Sequence, residues 1–130
     1  MHWYWEDQRA NKTVREKIID TLDPLELDPK LQGSYESAEK LSDSFVTYFI
    51  PNTQVLATYN NKPFKIGYTI SLNYYSSKMS DINSMPDQIF DAMIAAGFTA
   101  ENVGYDAGFD KETGRYGWLM DFYYVEERSI

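Results

Sequence analysis

The side chains that ordinarily carry catalysis are sparse in this chain. Its one histidine, His2, stands next to the first residue, and there is no cysteine. Without a second histidine or a thiol, the dyads and triads that activate a nucleophile are missing. Disulfides and zinc–thiolate sites are excluded for the same reason. Paired carboxylates could still work as acid and base. The densest acidic set near glycines is Asp106, Asp110 and Glu112. Its spacing does not match a D-x-D-x-D-G calcium loop, and solvated acids around a hairpin turn account for it. Gly104, Gly108, Gly114 and Gly117 are not a phosphate loop, because no G-K-[ST] follows and no helix opens there. The expectation is a protein without catalytic, cofactor-binding or metal-ligating residues, and not an enzyme.

Charge and composition narrow the partners. Twelve Lys plus Arg stand against twenty Asp plus Glu, a formal net charge of −8. Capture of DNA or RNA needs cations that displace counterions from phosphates, so it is not expected. A basic membrane-surface role is disfavoured in the same way. The apolar runs are too short to span a bilayer, and Met1 to Asp7 has neither the basic nor the apolar region of a signal peptide. The lack of cysteine suits an intracellular or virion setting. What stands out is ring surface: 16% of the 130 residues are aromatic. Tyr and Trp are enriched where surfaces dock. Trp3, Tyr4 and Trp5 fall in a terminal stretch, 1–12, that reads as a docking segment, a flexible tail, or a cap on the domain's own surface.

These residues must be positioned by one domain, with no internal repeat or low-complexity tract. Val14, Ile18, Ile19 and Leu22 make one apolar stripe of a helix, opened by a Thr13–Glu16 capping box and stopped by Pro24. Residues 23–44 read as a long polar loop with a helical turn around Ser37 to Leu41. Ser44 to Ile50 is a strand ended by Pro51. Phe64 to Tyr75 alternates strictly, with Phe64, Ile66, Tyr68, Ile70, Leu72 and Tyr74 on one face. A second helix is expected after Ser84, with Pro86 in its first turn and Gly97 as its left-handed C-terminal cap. Phe98 to Tyr105 is a weak strand. Asp110 to Gly114 is a hairpin turn leading into a last strand, Arg115 to Val125. The fold class is α+β: a mostly antiparallel sheet with two main helices on one face, in the order α-β-(β)-β-α-β-β.

This order and texture resemble the tail terminator (tail-completion, minor capsid or head–tail joining) proteins of long-tailed bacteriophages. The resemblance rests on FKIGYTISLNYYSSKMSDI (Phe64 to Ile82), the helix end Ala-Ala-Gly-Phe (Ala95 to Phe98), the turn DKETGRY (Asp110 to Tyr116) and the strand WLMDFYYVEE (Trp118 to Glu127). It covers roughly residues 13–127 and thins over 23–44. It implies a structural virion protein at the head-proximal end of the tail, made in the host cytoplasm. Such proteins form a ring, typically a hexamer, that stops tube polymerisation. Their partners are further copies of themselves, the tail tube protein and the head connector or stopper. DNA passes through the ring without specific binding, and an acidic lumen would ease that passage.

Two surfaces are expected at subunit interfaces. The closing strand is apolar on both faces, with Leu119, Tyr123 and Val125 opposite Trp118, Met120 and Phe122, and only one face can pack on helices. The stretch 51–63 has an apolar middle, including Val55, Leu56 and Tyr59. It reads either as an arm that orders on a neighbouring subunit or as a short extra strand on its own domain. The competing functions are a head-completion or stopper protein and a small acidic inhibitor of a host defence protein. Long alternating strands count against the first. Scattered acids, never more than two adjacent, count against the second.

Overall fold

The structure, a computed structural model, describes residues 12–27, 29–31 and 42–128. Helix α1 (Val14–Leu22) begins as its capping box requires. The Glu16 N–H donates to Thr13 Oγ1 at 3.2 Å, and the hydroxyl of Thr13 donates back to the Glu16 carboxylate at 3.1 Å. That exchange satisfies an otherwise orphan donor of the first turn. Val14, Ile18 and Leu22 are buried, whereas Ile19 sits at the stripe's margin and is exposed. A 3₁₀ turn at Asp23–Leu25 follows, then a two-residue strand β1 (Lys30–Leu31) within the expected loop. The expected turn at Ser37 to Leu41 lies outside the described residues.

Strand β2 (Ser44–Tyr59) and strand β3 (Lys62–Ser76) form one long antiparallel hairpin. Pro51 does not end β2. It falls in a bulge between Phe49 and Asn52, and among the described residues β1 pairs with β2 at Thr47 and Tyr48, short of this point. An edge with a bulge is the one place in a sheet where a missing N–H costs little. The stretch 51–63 is therefore strand, turn and strand. Asn60 and Asn61 have φ of 51° and 65°, which makes the two-residue turn that matches strand twist.

Helix α2 (Met79–Ala95) starts well before Ser84, so Pro86 lies inside it rather than in its first turn. Ser76 fixes the earlier start. Its Oγ donates to the Asp81 carboxylate at 2.8 Å and accepts the Lys78 N–H at 3.1 Å. The extra turns bury Ile82, which offsets the helical hydrogen bond that Pro86 cannot donate. Ser84 is no cap; its hydroxyl donates to the Ser80 carbonyl. The other end is as expected. Gly97 has φ 98°, and the N–H groups of Gly97 and Phe98 donate to the carbonyls of Ile94 and Met93, each at 3.0 Å. Phe98 packs back and is buried.

The weak strand expected at 98–105 is instead two pieces. Strand β4 (Thr99–Ala100) pairs with strand β6 (Arg115–Glu127) at Tyr123 and Phe122. Strand β5 (Tyr105–Asp110) pairs with the start of β6 through the expected turn. The sheet order is β1-β2-β3-β6, with β4 and β5 sharing the far side of β6; among the described strands, only β1 is parallel to its neighbour. The α+β class and the two helices on one face thus stand. That face buries Val46, Tyr48, Ile70, Leu72, Tyr74, Met120 and Phe122 against Ile18, Leu22, Ile89 and Met93. Each such side chain contributes about 1.5–3 kcal/mol by leaving water. Among the described residues, no helix is long and apolar enough to cross a membrane.

Candidate interaction surfaces

Two acids of the set named from the sequence, Asp106 and Asp110, accept hydrogen bonds within turns. The Gly108 N–H donates to Asp106 Oδ1 at 2.8 Å, and the Glu112 N–H donates to Asp110 Oδ1 at 3.0 Å. The Thr113 hydroxyl donates to Asp110 Oδ2. Side chains that mimic backbone acceptors in this way are what a tight turn asks of Asp. His2 lies outside the described residues, as do Trp3, Tyr4 and Trp5. Among the described residues, no three His, Asp or Glu side chains converge as a metal site.

The sequence-expected interface residues occupy two separate places. Beyond the helices, β2, β3 and the end of β6 continue as a ribbon, and residues 58–64 extend past the last β6 pairing at Lys65–Glu127 as a two-stranded tip. The base of the tip is anchored: the Arg128 N–H donates to the Phe64 carbonyl at 2.6 Å, and Lys65 Nζ lies 3.3 Å from the Glu127 carboxylate. Val55, Leu56 and Tyr59 are exposed on this ribbon, at 54%, 41% and 53%. Val55 pairs with Ile66 and so lies on the helix-bearing face of the sheet; Leu56 falls at a second bulge, and beyond it Ala57 pairs with Lys65 on the opposite face, the face that Tyr59, two residues on, shares. Tyr59 and Lys62 are direct cross-strand partners, an aromatic ring beside a cation.

Leu119, Tyr123 and Val125 lie on the opposite face. Tyr123 is half-buried because its ring crosses Gly67 on β3; a Cβ at position 67 would stand 1.9 Å from the phenol oxygen. Leu119 is also half-buried, between Asn73 and Tyr105, and Val125 is exposed. The polar break in this face has a local purpose. Asn102 Nδ2 donates to the Asp121 carboxylate at 2.9 Å, and the Asp121 N–H donates to Asn102 Oδ1 at 3.2 Å, tying the 101–104 loop to β6. The structure thus puts Val55 on the helix-bearing face and Leu119, Tyr123 and Val125 on the other, with Tyr59 out on the tip beyond them, so they do not form one patch.

Strand β5 begins where the expected strand ends and fills the stretch up to the expected hairpin turn, and Tyr105, Ala107 and Phe109 alternate as a strand should. A bulge after Asp106 then turns Phe109 to the helix-bearing face, where its ring meets Tyr116 at 4.9 Å. Beside it, a cleft of about 250 Å³ opens between α2 and β5. Met79, Pro86, Val103 and Trp118 form its apolar walls, and Asp87 and Asp106 bring carboxylates to it. The Trp118 ring is held there by its Nε1–H, which donates to the Val103 carbonyl at 3.3 Å. No sequence motif announces this cleft, since its residues come from three elements.

Charge is divided between segments of the chain. Residues 44–78 hold Lys62, Lys65 and Lys78 and no acid, while residues 79–114 hold seven acids and only Lys111. No protein-family model matches this chain, and no curated protein matches it in sequence.

Proposed function

We propose that this chain is a structural subunit of a long-tailed bacteriophage, a tail terminator that forms a ring on the head-proximal end of the tail tube. In that role it stops tube polymerisation and offers the head connector a surface. The observation that carries the reading is the ribbon beyond the helices. A monomer gains nothing by holding Val55, Leu56 and Tyr59 in water on a strand pair built past its own core. A subunit that must reach its neighbour needs such an element. The sequence resemblance supplies the identity of the assembly, and the α+β fold with one long hairpin is compatible with it. A net charge of −8 suits a channel that DNA crosses without being held.

The test is mass measurement in solution over a range of concentrations, followed by negative-stain imaging of the free protein and of the protein mixed with assembled tail tubes. Closed rings, free or on tube ends, are expected. A single chain bound nowhere on the tube, at every concentration, would refute the reading.

A further inference from the structure

We infer that the hairpin tip of one copy docks in the Asp87–Asp106–Trp118 cleft of the next. This inference rests on the ring reading and names the contact that would build the ring. Strand addition along the arm is not the natural route, because Pro51 and two bulges blunt the outer edge of β2. The tip must then bind through side chains. It presents Tyr59 and Lys62 side by side, with Pro63 next in sequence, in a stretch of chain without acids. The cleft presents the complement: Trp118, Met79 and Pro86 as apolar walls, and two carboxylates. The Tyr59 ring fits the walls, and the Lys62 ammonium fits between the carboxylates and the indole.

The contact cannot close within one chain. Trp118 stands near the start of β6, whereas the base of the tip lies against Glu126 and Glu127 at its end. That is roughly 26 Å along the strand at the usual rise per residue. A donor at one end and an acceptor at the other make a head-to-tail contact, which propagates into a ring or a filament rather than a two-fold dimer.

The absence of cysteine gives a clean test in the full-length chain. One batch carries Thr58→Cys on the tip and another carries Val103→Cys at the cleft; the two are mixed with a short bismaleimide. Docking should link 58 to 103 at least about tenfold faster than 58 to a control Glu16→Cys on α1, as expected when a contact raises local concentration. Lys62→Glu in the donor should bring the rate down to the control. Asp87→Lys in the acceptor should restore it to that donor. Equal rates for the cleft and control positions would overturn the proposal, as would a Lys62→Glu donor that links as fast as its parent. If rings form in solution while 58–103 linkage is not favoured, this contact falls and the ring reading stands. If linkage is favoured but the product is an open filament, the contact stands and the ring reading falls.

Discussion

At the scale of the residue, two positions have roles that side-chain type alone does not announce. Gly67 is a strand residue covered by Tyr123, so its missing Cβ is what lets the ring lie flat on the sheet. Gly67→Ala should cost ~1–2 kcal/mol, because the ring must swing away from an overfilled site. In a Tyr123→Ala background the same change should cost nothing or stabilise, since Ala suits a strand better than Gly. Denaturant unfolding of the four proteins measures this coupling. Tyr74 is fully buried, and its hydroxyl finds no partner in hydrogen-bond geometry. Burial pushes its phenol above the ordinary value of 10.0; Ser44 and Ser76 partly offset the rise and the Asp81 charge adds to it. The folded chain therefore holds this proton more tightly than the unfolded chain. The associated stability is complete below about pH 10 and is lost as pH climbs through the raised value. Tyr74→Phe should be neutral or stabilising at pH 7 and should flatten the loss of stability above about pH 10. Tyr75, shifted upward chiefly by burial, contributes in the same direction.

At the scale of the element, β3 is where sequence and structure agree most closely. Ile66, Ile70, Leu72 and Tyr74 alternate in the sequence and are the buried residues of one face. Ile70→Asp should unfold the domain, because it places an unpaired carboxylate among Ile89, Met93 and Phe122 in the core. Thr69→Asp, half-buried on the other face between Asn52 and Tyr123, should stay within about 1 kcal/mol of the parent. Circular dichroism melts of the two variants decide it; equal losses would mean that the faces are assigned wrongly. Helix ends were legible wherever a local hydrogen bond makes them, as at Thr13 and Gly97. They were not legible at the start of α2. There Ser76 of the preceding strand ties the Lys78 N–H and the Asp81 carboxylate together, and burial of Ile82 outweighs an interior proline; no cap residue marks the start in the sequence. The same holds for Pro51, whose effect depends on whether its strand is an edge.

At the scale of the whole molecule, the long hairpin that leaves the helices behind gives the chain two distinct ends. Replacing Val55, Leu56 and Tyr59 together with Ser should leave the thermal midpoint nearly unchanged, because all three are exposed. The mass in solution, under conditions where the parent assembles, should fall to that of one chain. A large drop in melting temperature would instead mean that the ribbon is held by packing within its own chain.

The sequence by itself determined the class of the fold, the faces of β3 and the absence of cysteine and of a second histidine, because periodicity, capping and composition act over a few residues. It also offered two readings of 51–63, and the backbone pairing with β3 decides that this stretch is strand rather than loop. Only the tertiary structure decided that Tyr123 covers Gly67, that the expected interface residues divide between two faces, and that Asp87, Asp106 and Trp118 share a cleft. Each of these depends on register and on the meeting of elements far apart in the chain. A bulge of one residue changes which face a side chain takes, and no local pattern of residue types records it.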